Sequence, residues 1–276
     1  MALLSKLPHK KMKEKATPPI VRLFRLVRLL LQVVSGILQS IVYPYCSRSI
    51  QQRMMKNWAK GTLKTLNITI NVIGSFPNRN HQRALLIANH VSWLDICAVM
   101  AVCPTQFVAK SEIRNWPVIG FLSKRVGTHF IERAKRSDTA RLNQELGNVL
   151  IAGERVCIFP EGGTSDGTQT LHFHASLLQS AINAQALLYP VAIRYLDTAG
   201  SICHDAAYTD ISLAASLRKV LCQPRIEAVL NCNAPIYSAE KNRRELARMS
   251  EEAINRNLSQ PAYHSESEKP SYLPNA

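Results

Sequence analysis

Apolar positions along this chain follow two different periods. From Thr65 onward, short runs rich in β-branched and apolar residues recur at 68–73, 84–88, 106–109, 128–131, 156–159, 188–195 and 226–230. They are too short for helices and read as strands. Helical patterns lie between them, at 92–101, 116–122, 137–152 and 175–183. This alternation predicts an α/β fold, with a mixed sheet of about seven strands flanked by helices. Ligands then belong at the strand ends, in the turns that lead into helices. Residues 238–258 read as one charged helix, and the tail from Gln260 to Ala276, rich in Ser, Pro and Glu, reads as disordered.

The segment from Val21 to Ile41 has a helical period. Wound at about 100° per residue, it collects Arg22, Arg25, Arg28, Gln32, Ser35, Gly36, Gln39 and Ser40 on one side. Leu23, Leu26, Val27, Leu30, Val33, Val34, Ile37, Leu38 and Ile41 fall on the other, and Leu29 alone intrudes in the polar arc. The uncharged stretch 29–45 could pass for a short membrane span or a signal-peptide core, but no clear small-residue cleavage site follows. A spanning helix has no use for a polar stripe. The pattern predicts an amphipathic, membrane-anchoring helix in the headgroup plane, arginines toward anionic lipid. The alternative is a helix packed on the core of a soluble domain. The first twenty residues are basic, contain Pro18 and Pro19, and should be poorly ordered. Three parts follow: a basic, anchoring N-terminus (1–60), an α/β domain (61–258) and a disordered tail (259–276).

Charge narrows the partners. The formal net charge is +15, from 34 basic and 19 acidic residues, so an anionic partner is expected. Nucleic acid and anionic membrane lipid are the candidates. The basic residues are not interleaved with aromatics and no nucleic-acid-binding motif occurs, which leaves membrane lipid. The seven cysteines form no CxxC and several sit in apolar runs, as reduced thiols of a cytosolic domain do. His172 and His174 could be read as a metal pair, but in an extended segment they read as ordinary side chains. No metal and no cofactor are expected.

Two turns carry candidate chemistry. The run 84–88 leads directly into Asn89-His90-Val91-Ser92-Trp93-Leu94-Asp95. In one continuous helix His90 and Asp95 would diverge by about 140°. They meet only if His90 sits in the turn and the helix begins near Ser92, a good N-cap. Asp95 would then fix the imidazole tautomer and make the other nitrogen a base for a substrate hydroxyl. Ser92-x-x-Asp95 is equally a capping box that serves only the helix start. The run 156–159 leads into Pro160-Glu161-Gly162-Gly163-Thr164-Ser165-Asp166-Gly167. Its glycines would let backbone N–H groups approach a ligand or a developing oxyanion. The same residues also suit a surface loop without a ligand.

Taken together, Asn89-His90-x-x-x-x-Asp95 and Phe159-Pro160-Glu161-Gly162 resemble the first and third motifs of the glycerolipid (1-acylglycerol-3-phosphate) acyltransferases. Gly127-x-x-Phe130-Ile131-x-Arg133 is similar to the second motif and Tyr189-Pro190-Val191-Ala192 to the fourth. Lys110-Ser111-Glu112, with Pro117 and Gly120 after it, also fits. The resemblance runs from about Trp58 to Tyr195. It implies transfer of an acyl chain from acyl-carrier protein or acyl-CoA to a lysolipid hydroxyl, with His90 as base and Asp95 as its orienting partner. It further implies that Glu161, Gly162, Gly163, Thr164 and Ser165 line the acceptor site, and that Arg133 and Lys110 serve its anionic group. An enzyme on the cytoplasmic face of the inner membrane is the expected setting. One departure stands out: Thr164 occupies the place of the family's arginine. A guanidinium grips phosphate with two parallel bonds and a threonine cannot. The turn, with Phe173-His174-Ala175-Ser176-Leu177 after it, is similar to the lyso-ornithine lipid branch. A relative that binds lipid without catalysis is the further alternative.

Overall fold

The computed structural model describes residues 16–78, 83–132 and 135–260. Arg133, most of the basic N-terminus and the tail from residue 261 lie outside the described residues, and with them the expectations placed there. The chain opens with helices α1 (Pro19–Val42) and α2 (Arg48–Thr65), then alternates: β1 (Ile68–Gly74), β2 (Ala84–Ala88), α3 (Leu94–Val102), β3 (Gln106–Lys110), α4 (Ile119–Arg125), β4 (His129–Ile131), α5 (Arg136–Ile151) and β5 (Arg155–Ile158). After a long turn come α6 (Gln179–Ala184), β6 (Leu187–Leu196), α7 (Leu213–Cys222), β7 (Ile226–Cys232), β8 (Ile236–Tyr237) and α8 (Arg243–Ser259).

The strands form one mixed sheet, ordered β1-β7-β6-β2-β5-β3-β4, with β8 beside β6. β6, β2, β5, β3 and β4 run parallel, while β7 is antiparallel to β6 and parallel to β1. β2 is central, and every residue from Ala84 to Ala88 is fully buried. Its period-2 alternation serves two cores at once. Leu86 and Ala88 join Leu94, Ala98 and Leu63 on the face covered by α2, α3 and α7. Leu85 and Ile87 join Leu142, Leu146, Leu178 and Ile254 on the face of α5, α6 and α8.

All seven expected strands are present. The two-residue β8 and helices α2 and α7 are additions to the expected elements. A boundary at residue 60 falls inside α2, so the N-terminal part continues into the domain. The expected helix 175–183 splits into a 3-10 turn at Ala175–Leu178 and then α6. The charged helix begins only at Arg243, where the Asn242 side chain accepts from the N–H groups of Arg244 and Glu245.

α1 is amphipathic with its apolar face outward, as an anchor requires, but its polar stripe is not turned to lipid as expected. The polar stripe docks on the protein. Arg25 donates to the carbonyls of Gln223 and Pro224 at 2.7 and 3.0 Å, and Arg22 reaches the Cys222 sulfur. Gln32 and Trp58 exchange side-chain to backbone hydrogen bonds, both 2.9 Å. Leu29, the intruder in the polar arc, packs on the core beside Leu26. Arg22 and Arg25 therefore bind the carboxyl end of α7 rather than lipid; Arg28 stays exposed over the Phe24 ring. The outward face carries Leu23, Leu30, Leu31 and Leu38, each 57–63% exposed. Gly36 sets how closely α1 and α2 approach, since a Cβ there would lie 2.6 Å from the Trp58 indole nitrogen. Gly36→Val is expected to pry the helices apart, lowering stability by about 1–3 kcal/mol in a denaturant titration and altering Trp58 emission.

Candidate active site

β2 delivers His90 through a locked residue. Where the β2–β6 ladder ends, the buried Asn89 side chain extends it: its amide donates to the Ile193 carbonyl at 2.9 Å and its oxygen accepts from the Ile193 N–H at 2.7 Å. The next residue, His90, turns out of the sheet. Asp95 lies in the first turn of α3, fully buried. Its Oδ2 accepts from His90 Nδ1 at 2.7 Å, from the Val91 N–H at 2.7 Å and from the Ser92 N–H at 2.9 Å. Its Oδ1 accepts from the Tyr195 hydroxyl at 2.8 Å.

The helix starts at Leu94 rather than near Ser92. Ser92 is not an N-cap, and its hydroxyl is buried without a hydrogen-bond partner among the described residues. The capping-box reading holds in half: Asp95 does take the Ser92 N–H, while orienting His90 as well. Because a carboxylate only accepts, His90 Nδ1 carries a proton, and in the neutral imidazole Nε2 is then the nitrogen with the lone pair. Nε2 makes no hydrogen bond to a described residue, and the imidazole is 22% exposed. It stacks on Phe159 with centroids 4.2 Å apart and planes 17° from parallel.

The second turn clamps the first. Glu161, only 5% exposed, accepts from the His90 N–H at 2.8 Å through Oε1 and from the Leu171 N–H at 3.1 Å through Oε2. The Ser165 N–H donates to the His90 carbonyl at 2.7 Å. Both backbone polar groups of His90 are thus held from across the sheet's end. The Thr164 hydroxyl donates to the Tyr208 carbonyl, and the Tyr208 N–H donates to Val91 O at 2.9 Å. Burial pushes the Glu161 carboxyl up to about 7, against the pull of its two backbone donors. α8 holds the far side of this turn: Asn255 accepts from the Thr170 N–H and donates to the Thr170 hydroxyl, and Glu251 accepts from the Phe173 N–H.

The structure therefore brings together His90, Asp95, Glu161, Gly162, Gly163, Thr164 and Ser165. A side chain at Gly163 would meet nothing within 4 Å, so the turn is open there. Glu161, expected to line an acceptor site, is the buried tie between the two turns. Lys110 is exposed at the end of β3, two strands from β2 and in register with Ile131. His172 and His174 sit edge to face, 5.8 Å apart, on the loop against α8. Sequence reasoning missed Tyr195, Asn89, Glu251 and Asn255. A signal existed for Tyr195: it shares a strand face with Val191 and Ile193, a polar tip in an apolar row.

An imidazole held in one tautomer by a buried carboxylate, at the carboxyl end of parallel strands, is the arrangement of a general base that works on a substrate hydroxyl. The Acyltransferase family model matches residues 69–194. The chain is 39% identical over 182 residues to a 1-acyl-sn-glycerol-3-phosphate acyltransferase of Neisseria gonorrhoeae, covering 66% of this chain and 70% of that protein. It is 34% identical over 205 residues to a lyso-ornithine lipid O-acyltransferase of Pseudomonas aeruginosa, covering 74% and 78%. The fold is similar to the crystal structure of the 1-acyl-sn-glycerophosphate acyltransferase of Thermotoga maritima, with a TM-score of 0.59 at 20% identity over 85% of this chain and 96% of that one. The chain belongs to the acyltransferase family and is an acyl-transferring enzyme.

Two outcomes follow from the buried carboxyls. Tyr195→Phe strips Asp95 of a donor without changing shape, and is expected to cost about 1–3 kcal/mol in chemical denaturation. Glu161 titrates near 7 when folded and near 4.5 in its ordinary state. Between those values the folded chain holds a proton that the unfolded chain has lost, so stability falls as pH rises from about 4.5 to 7 and levels off above. The fall from this group is on the order of 3 kcal/mol. Glu161→Gln should remove that part of the slope; equal slopes in both proteins would refute the assignment.

Proposed function

We propose that the chain O-acylates a lysolipid of the 1-acylglycerol-3-phosphate type at a membrane surface, with His90 as the base. The carrying observation is the geometry of that imidazole: Nδ1 fixed on buried Asp95, both backbone polar groups clamped, and Nε2 without a partner among the described residues. Nε2 takes the proton of the acceptor hydroxyl as its oxygen attacks the thioester carbonyl. The tetrahedral intermediate collapses, the carbon–sulfur bond breaks, and the proton passes from the imidazolium to the leaving thiolate. Asp95 stabilises the imidazolium in between. The turn, open at Gly163, supplies room for the acceptor. The donor is acyl-carrier protein or acyl-CoA, and no metal or cofactor takes part.

α1 supports an in-plane anchor. It belongs to a stretch, Pro19–Tyr45, long and apolar enough to cross a membrane by length and composition. Its polar face is tied to α2 and α7, so spanning would tear those bonds, whereas lying flat puts the outward leucines in acyl chains. The chain's positive charge suits an anionic leaflet, and with its reduced thiols the cytoplasmic one.

Thr164 favours a second reading of the acceptor, a lyso-ornithine lipid. It has no guanidinium for a phosphate, and its hydroxyl is engaged with the Tyr208 carbonyl. Thiol release from acyl-CoA or acyl-carrier protein decides both points. Addition of a lysolipid should stimulate release, and His90→Ala with an unchanged fold should lose at least about 100-fold; undiminished turnover would end the mechanism. Lysophosphatidic acid and lyso-ornithine lipid, compared with one donor, separate the acceptors. If Thr164 excludes phosphate, Thr164→Arg raises use of lysophosphatidic acid.

A further inference from the structure

The connection from β3 to β4 exposes apolar surface for which the domain has no use. Trp116, Val118, Ile119 and Phe121 are each 37–40% exposed, and Pro117 between them is exposed too. This tip is built into shape. The Ile119 N–H donates to the Pro117 carbonyl at 2.6 Å across a three-residue turn, with Val118 at φ 60, where a β-branched residue rarely sits. Beneath it Gly120 is pressed onto backbone: a Cβ there would lie 2.5 Å from the Arg114 carbonyl oxygen and 2.6 Å from that of Ile113. A contiguous apolar patch held in a fixed shape marks an interaction surface.

The surroundings identify the partner. Lys110, Arg114, Lys124 and Arg125 are exposed around the tip, and the Arg125 guanidinium lies 5.4 Å from the Phe121 ring centroid. Glu112 is the acidic residue of the same stretch. α4 packs against α1, so the tip adjoins the helix whose leucines face outward. Apolar side chains ringed by cations, next to an outward apolar helix, suit an anionic bilayer.

We infer that residues 116–121 form a second lipid-contacting element, which enters the leaflet beside α1 while the surrounding cations meet lipid phosphates. This rests on the in-plane anchor proposed above. A single helix would leave the domain free to roll about its axis, and a second contact off that axis fixes the roll. The tip follows the carboxyl end of β3, which runs parallel to β5 and β2, so it lies at the same end of the sheet as His90. Inserting it turns that end toward the membrane, where a lysolipid resides.

Tryptophan quenching tests the proposal. The full chain is mixed with vesicles of phosphatidylcholine and phosphatidylglycerol carrying brominated acyl chains. The chain has three tryptophans, Trp58, Trp93 and Trp116. The expected result is quenching in the wild type that is markedly smaller in Trp116→Phe, although the variant still sediments with vesicles. Equal quenching in two sedimenting proteins overturns the second contact and leaves the anchor standing. If the wild type does not sediment, the anchor fails and this proposal with it. Phe121→Ser, checked for fold by circular dichroism, should lower vesicle partitioning about tenfold; unchanged partitioning also overturns the proposal. Lipid-free self-association that Trp116→Phe abolishes would reassign the tip to a second copy of the chain.

Discussion

A carboxylate without access to water persists only if donors replace the water it has lost. Asp95 meets that requirement with His90 Nδ1, two successive backbone N–H groups and the Tyr195 hydroxyl. Most of the local architecture follows. For the N–H groups of Val91 and Ser92 both to face Oδ2, the chain must wrap around the carboxylate before it can become helical. That wrap delays α3 to Leu94, turns the imidazole so that Nδ1 points inward, and leaves Nε2 on the open side. The Tyr195 hydroxyl ties the same carboxylate to the middle of the sheet. The reactive geometry is thus a by-product of solvating one buried charge with protein donors.

Glu161 obeys the same physics with fewer donors. Two backbone N–H groups, from His90 and Leu171, offset its burial only in part, and its carboxyl titrates near neutrality. It is a softer joint than Asp95. Through Leu171 it passes the hold on to the 170–173 segment, which Asn255 and Glu251 fix from α8. The last helix therefore supports a residue near the chain's middle through a short series of polar contacts.

The central strands were legible because burial on both faces leaves compact apolar runs, and their ends located both turns. α2 was not, since its buried stripe of Met55, Ala59 and Leu63 is narrow and set among basic and polar residues. β8 is too short for any period to register. At the site, the meeting of His90 with Asp95 was legible as a condition on where the helix begins. Its cause was not, because the hydroxyl at Ser92 caps nothing and the decisive donors are backbone groups. Tyr195 is marked only as a polar tip in an apolar strand face, and the ties made by the Ser165 backbone and by Asn255 act across long separations in the chain, where neither spacing nor alternation carries a trace. Glu161 was found as a residue, but its tie to the His90 and Leu171 N–H groups was not, since a sequence does not say which way a side chain faces after a proline turn.

α1 shows the same limit from the other side. A helical period divides residues into two faces but does not say what each face meets. In water the apolar face of such a helix packs inward. Here the inward face is the one with Arg25, Gln32 and Gly36, each fitted to a specific partner or gap on α2 or at the end of α7, and with the buried Ser40. Leu23, Leu30, Leu31, Val34, Leu38 and Ile41 are left more than half exposed. Each of these forgoes on the order of 1 kcal/mol relative to burial. Together that approaches the whole stability of an ordinary domain, roughly 5–15 kcal/mol. An arrangement so unfavourable in water becomes favourable where the outside is hydrocarbon, as the proposed anchor requires: the polar inner face would keep the helix on the domain with its outer face in lipid. The orientation of α1, more than its hydrophobicity, is the reason to read it as an anchor that lies flat.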